Sequence, residues 1–338
     1  MAVDAPRYAV NPQPRPRILV IRRDNIGDLV CTTPLIDGLR AAQPKAWIGA
    51  LVNTYNAEVL ARNPALDAIY VYEKLKHRAS PLLRFVADRL RLARELRGQR
   101  LDCVLVPAAA PQTLKFARSL RPVRLIAGDS NDLRHEVERT YALGAALGAD
   151  ATPGSMRVFP DPKRVRELRS RLGDGPWAAV HISARRPAQR WPLERYAELV
   201  RELARDGRVM LLWAPGSSSD ARHPGDDEAA ARVLGETRGL PVDALETPDL
   251  GALIAALSLA RRVICPDGGA MHLAAALGKP VVALFGDSPV ERWRPWGVEH
   301  RVVTTESRDL ADLTVAAVLR AHAQLEDQAL TTFGRGSR

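Results

Sequence analysis

Cysteine, aromatic residues and long apolar runs are all scarce in this chain, and each scarcity removes a class of protein. The three cysteines among 338 residues, Cys31, Cys103 and Cys265, lie in apolar surroundings at no metal-ligand spacing. That excludes a disulfide framework or a zinc module and reads as reduced core thiols of a cytoplasmic protein. No apolar run approaches the roughly 20 residues that span a bilayer, and residues 1–16 are polar and proline-rich, unlike a secretory signal. Aromatics make up 5% of the chain, and the basic stretch 74–100 has almost none, so a stacking-based RNA or DNA module finds no support and no nucleic-acid partner is expected. Carboxylates and histidines form no cluster at metal-binding intervals, so no metal site is expected.

What the chain has in excess is positive charge, and it is unevenly placed. Residues 1–160 hold 24 Lys+Arg against 15 Asp+Glu, a balance of +9, whereas residues 161–338 hold 25 against 24. Residues 74–100 alone carry nine basic side chains against Asp88 and Glu95. A one-sided patch of this kind points to an anionic partner on the N-terminal half: nucleic acid, an acidic membrane surface or a phosphorylated substrate.

The hydrophobic pattern alternates between buried-strand runs and helical stripes. Strands are expected at 17–22, 47–52, 69–72, 101–106 and 123–127, then again at 177–182, 208–213, 263–266, 281–285 and 301–304. Helical spacing marks 29–40, 56–62, 82–96, 163–172, 193–206, 249–260 and 312–325. Between the two series, residues 148–162 break into Gly, Pro and Asp, a candidate linker. The fold class is therefore α/β, with two doubly wound parallel sheets; domain boundaries are expected at 1–155 and 156–338. In the first series, Gly27 closes a tight turn after the first strand and Asp28 falls in the first helical turn, where the dipole favours a carboxylate; an N-cap would serve as well. In the second, Asp267-Gly268-Gly269 leads from strand into helix, offering free N–H groups to an anion. Only one glycine follows the first strand, so a Gly-x-Gly-x-x-Gly dinucleotide fingerprint is absent.

Two such domains resemble the GT-B glycosyltransferases, two Rossmann-like sheets facing across a cleft. Arg22-x-Asp24-x-Ile26-Gly27-Asp28-x-x-x-Thr32-x-Pro34 resembles the N-terminal signature of glycosyltransferase family 9, the lipopolysaccharide heptosyltransferases. Asp267-Gly-Gly-x-x-His272-Leu-Ala-Ala-Ala-Leu-Gly-x-Pro280, followed by Leu284-Phe-Gly286, resembles its donor-binding signature, and Arg190-Trp191-Pro192 a third element. The resemblance runs from about residue 17 to about residue 320. It implies inverting transfer of heptose from ADP-heptose to the inner core of lipopolysaccharide, with Asp28 as general base. It also implies a donor site built from Ser183, Arg185, Arg186, Gln189, Arg190, Gly216, Ser217, Asp267, Gly268, Gly269 and His272, with no obligatory cofactor beyond the nucleotide sugar. The last helix of the C-terminal domain is a candidate to pack back on the N-terminal domain.

Family members commonly carry a lysine where this chain has Gln189, and a Ser or Thr where it has Gly268. Arg185, Arg186 and Arg190 lie in the same loop and can replace the missing charge. The basic patch suits a phosphorylated lipid core at the cytoplasmic face of the inner membrane. Asn25, Lys74, Lys76, Arg78, Arg84 and Arg91 are its expected acceptor-side residues. Two alternatives stand beside this reading. One is a related transferase with another sugar nucleotide or a protein acceptor; the other is a non-catalytic nucleotide- or nucleic-acid-binding α/β protein.

Overall fold

The computed structural model describes residues 15–72, 82–129, 131–173, 175, 177–219 and 225–334, without the side chains of 82–85 and 326–334. Lys74, Lys76 and Arg78 lie outside these residues, and the Arg84 side chain is among those not described.

The first half runs β1 (Arg17–Ile21), α1 (Ile26–Val30), α2 (Thr33–Ala42), β2 (Trp47–Asn53), β3 (Ala68–Tyr72), α3 (Leu82–Gly98), β4 (Cys103–Val106), α4 (Pro111–Ser119), β5 (Arg124–Ala127) and α5 (Glu136–Tyr141). All its strands pair in parallel, in the order β3-β2-β1-β4-β5. The second half runs α6 (Pro162–Leu172), β6 (Trp177–His181), α7 (Leu193–Asp206), β7 (Arg208–Trp213), α8 (Asp227–Glu236), β8 (Val242–Glu246), α9 (Leu250–Leu259), β9 (Ala260–Pro266), α10 (Gly269–Ala276), β10 (Val281–Leu284), α11 (Val290–Trp293), β11 (His300–Val303) and α12 (Val315–Gly334). Its sheet is also parallel, ordered β11-β10-β9-β6-β7-β8. Central strands such as β4 and β10 are buried at every residue, as helices on both faces require. Strand order reverses between β1 and β4 and between β6 and β9, so the crevices suited to ligands lie at the carboxyl ends of those strands.

Several boundaries differ from the periodicity. The stripe 29–40 forms two helices, because Pro34 lacks an N–H and its ring would collide with the Val30 carbonyl. Side chains take over at the break: Thr32 Oγ1 donates to Asp28 O at 2.8 Å and Thr33 Oγ1 to Val30 O at 2.7 Å. Residues 56–62 form only the short 3₁₀ turn Ala57–Val59. There Asn53 Oδ1 accepts the N–H groups of Tyr55 and Asn56 and turns the chain instead. Helix α8 and strand β8 give almost no pattern, since α8 buries only Ala230 and Val233 and β8 only Leu245.

The two halves share a core. One hydrophobic cluster runs from Ile18 and Leu35 through Met156 and Val158 to Met271 and Phe285. The 148–162 stretch is therefore packed rather than free: Arg157 N donates to Thr33 Oγ1 and Val158 N to Ala276 O. Helix α1 packs directly on α10. The described part of α12 packs mainly on α7, β10 and β11.

Candidate active site

At the end of β1, Arg22 and Asn25 converge on Asp28. Arg22, the residue after β1, is 1% exposed, and its Nη2 donates to Asp28 Oδ1 at 2.6 Å. The other oxygen, Oδ2, accepts the Asn25 backbone N–H at 3.2 Å and Asn25 Nδ2 at 2.9 Å. An ionised carboxylate offers about four lone-pair sites. Three are taken, and the fourth is on Oδ1 of a side chain that remains 14% exposed. Burial works against charge on Arg22, but Asp28, Asp24 and Glu136 outweigh it and hold the guanidinium above its ordinary pKa.

Across the seam, the turn after β9 meets this end of the molecule. A Cβ on Gly269 would lie 3.2 Å from Ile26, whereas Gly268 faces open space. Asp267, 7% exposed, accepts from Gln189 Nε2 at 2.9 Å and from the Ser288 hydroxyl. Burial raises its pKa, and those two hydrogen bonds and the Arg186 charge oppose the rise. His272 is not open to a ligand here. Its ring is 2% exposed, packs on Gly27 and sets Nδ1 3.6 Å from Cys31 Sγ. Burial lowers its pKa to about 4, so the ring is neutral, and burial holds the neighbouring Cys31 thiol protonated.

The loop after β6 spreads its arginines. Arg185 Nη1 crosses the seam to Asn25 Oδ1 at 3.0 Å, Arg186 pairs with Asp287 at 3.0 Å, and Arg190 Nε donates to Ala184 O at 3.1 Å. Ser183 Oγ accepts Ala214 N–H at 2.8 Å, Gly216 N donates to Asp227 Oδ2 at 2.9 Å, and Ser217 Oγ donates to Glu228 Oε1 at 2.9 Å. The expected donor residues thus sit at the carboxyl ends of β6, β7 and β9, with Asn25 and Asp28 facing them from β1. Arg91 is a separate case: it stands 80% exposed on α3, paired with Asp88 of its own helix. Sequence reasoning missed Arg23 and Arg89, whose guanidinium groups lie 4.8 and 5.0 Å from the Tyr72 ring. It also missed Glu136 and Arg292, which ion-pair with each other at 3.0 Å across the seam. A charged residue closing a buried strand, as Arg22 does, was the one readable signal.

The sequence profile of glycosyltransferase family 9 (heptosyltransferase) matches residues 119–319, well over half of the chain. The chain belongs to glycosyltransferase family 9. It is 26% identical over 318 residues to lipopolysaccharide heptosyltransferase 2 of Escherichia coli K12, covering 85% of this chain and 87% of that protein. Among solved structures, a family 9 glycosyl transferase from Veillonella parvula superposes with a TM-score of 0.79 at 21% identity, covering 92% of this chain and 97% of the other. The E. coli heptosyltransferase WaaC with ADP-2-deoxy-2-fluoro heptose gives 0.71 at 21%, covering 91% and 99%. These likenesses establish the two-sheet glycosyltransferase fold, and family membership makes the chain a glycosyltransferase. The profile match begins at residue 119, beyond the Arg22–Pro34 motif, while the E. coli relative aligns over most of the chain.

Proposed function

We propose that this family 9 enzyme moves a heptose from ADP-heptose to the anionic inner core of lipopolysaccharide, with inversion, using Asp28 as general base. One observation carries the reading: a carboxylate hydrogen-bonded by Arg22 and Asn25, with a single open lone pair on Oδ1, at the strand end that faces the Gly268 turn. The acceptor hydroxyl gives its proton to Asp28 as its oxygen bonds to the anomeric carbon and the bond to the diphosphate breaks. Charge grows on the leaving ADP, where the N–H groups of Gly268 and Gly269 at the head of α10 and the 185–190 arginines provide compensation. Asp267 and Gln189 border the same turn, and Ser183, Gly216 and Ser217 border the nucleotide on the neighbouring strand ends. His272 serves this site by packing α10 on Gly27 rather than by touching the donor.

The names of the relatives support both heptose and lipopolysaccharide, and the neighbour bound to a fluorinated ADP-heptose supports the donor. Residues 1–155 would take the acceptor and 156–338 the nucleotide sugar. None of the described helices is long and apolar enough to cross a membrane. Contact with the lipid-borne acceptor falls instead to the basic side, where α3 exposes Arg89, Arg91 and Arg94 beside Val86 and Leu90.

Calorimetry with ADP-heptose against UDP, GDP and CMP sugars, together with transfer assays of Asp28→Asn, tests the proposal. The expected outcome is selective ADP-heptose binding, unchanged in Asp28→Asn, and a loss of transfer of about 10²–10⁴-fold. Full transfer by Asp28→Asn would remove the base from the mechanism, and selective binding of another nucleotide would change the donor.

A further inference from the structure

Glu136 is the hub of a buried ion cluster that joins the two halves. It opens α5 with its side chain 0% exposed. Its Oε1 accepts from Arg22 Nη2 at 2.7 Å and Arg139 Nη2 at 2.6 Å. Its Oε2 accepts from Arg139 Nε at 2.9 Å and from Arg292 Nη2 at 3.0 Å. The nitrogen of Arg22 that serves Glu136 is the same one that serves Asp28, so the two carboxylates share one NH₂ group. Arg22 Nε adds Asp24 at 3.0 Å. Three carboxylates, Asp24, Asp28 and Glu136, are thus balanced by Arg22, Arg139 and Arg292. Of these six groups only Arg292, on α11, comes from the C-terminal half. A second contact fixes the same two elements: His135 accepts Val137 N–H on Nδ1 and so donates from Nε2 to Arg294 O at 2.9 Å. His135 also stacks on Trp296, with ring centroids 4.7 Å apart.

We infer that Glu136 and Arg292 are positioning residues, which tie the contact between the two halves to the geometry and charge of Asp28 through the shared Arg22 guanidinium. With Arg292 in place, Glu136 Oε2 is shared by Arg139 and Arg292, and Arg22 divides its NH₂ between the two carboxylates. Without it the cluster loses one positive charge, and Glu136 draws more strongly on the one guanidinium that it and Asp28 both contact. Arg292 is 27% exposed and lies against Trp293, which reaches the His272 ring edge-on, so α11 is in register with the donor turn as well. The titratable and charged groups of the cluster that holds Asp28 are Arg22 and Asp24 from the β1 turn, Glu136 and Arg139 from α5 and Arg292 from α11, with neutral His272 from α10, the Cys31 thiol and, through Asn25, Arg185 beside it.

This inference rests on Asp28 being the base, and the experiment separates the two. Arg292→Gln, Arg292→Lys and Asp28→Asn are compared in full-length enzyme for kcat, donor KM and the pH profile of kcat. Arg292→Gln is expected to lower kcat about ten-fold, to leave donor KM within about two-fold, and to move the acid limb of the profile up by about half a unit or more. Arg292→Lys is expected to recover most of kcat and the wild-type limb, because it restores the charge. An unshifted acid limb in Arg292→Gln, or no recovery with lysine, overturns the positioning role even if kcat falls. An active Asp28→Asn overturns the base itself, whatever the Arg292 variants do. Because Arg292 is partly exposed, its variants test the link without emptying the buried Glu136 site.

Discussion

Gln189 donates a buried hydrogen bond to Asp267 at a position where the family resemblance implies lysine. An uncharged amide there satisfies the carboxylate without adding charge to the donor side, and the Ser288 hydroxyl supplies a second donor. Gln189→Met keeps the volume but removes the donor, leaving a buried carboxylate short of one partner at a cost of about 1–3 kcal/mol. Gln189→Lys is expected to hold stability near wild type, since the ammonium can pair with Asp267. Urea unfolding of the two variants checks this, and a Met variant as stable as the parent would mean that Asp267 does not depend on residue 189. The sequence exposed Gln189 as a departure, but its partner lies 78 positions away, and no local pattern encodes that meeting.

At the scale of elements, the two turn-and-helix signatures are parts of one contact, α1 against α10. A Cβ on Gly27 would stand 2.6 Å from His272 Cδ2, too close for any real pair of atoms. The ring is clamped by Cys31 and by Trp293, whose centroid is 6.0 Å away, so it cannot swing clear. Gly27→Ala should therefore destabilise the protein by about 1–3 kcal/mol through overpacking. Paired with His272→Ala, its added cost should shrink, giving a coupling energy of about 0.5–3 kcal/mol in a double-mutant cycle. Strict additivity would show that the helices do not bear on each other through this pair. Both signatures were visible in the sequence as turns before helices. Their mutual packing was not, because a turn motif carries no information about what faces it.

For the whole molecule, buried neutral histidines make stability depend on pH. Burial lowers His135, His181 and His272 to about 4, from an ordinary value of 6.5. Between those values the unfolded chain binds protons that the folded chain refuses, so stability falls as pH drops from 6.5 to 4, by up to ~3 kcal/mol per histidine. Glu136 acts lower. Burial pushes its pKa up, but Arg139 and Arg22 prevail and hold it to about 2, so its stabilisation is complete above 4.5 and is lost as pH falls from 4.5 towards 2. His135 and His272 both lie on the seam between the halves, against Arg294 and against Gly27 and Cys31. Acid should therefore lower the thermal midpoint and separate the sheets together. Thermal unfolding at pH 7, 5.5 and 4.5, with solution scattering at each, measures both; a flat midpoint over that range would contradict the buried-neutral assignment.

By itself the sequence determined the two parallel sheets, most of their strands and helices, and the strand ends where chemistry belongs, because all of these follow from local periodicity and turn residues. It also placed Asp28 after a strand and a glycine, which is a local feature, while its proposed role as base came from the family resemblance. Tertiary structure alone decided that the linker is packed, that His272 closes a seam, and that Gln189 answers Asp267. It alone joined Arg22, Glu136 and Arg292 into one charge cluster. Those partners are separated by 78 to 241 positions, and only the folding of the sheets and their meeting bring them into contact.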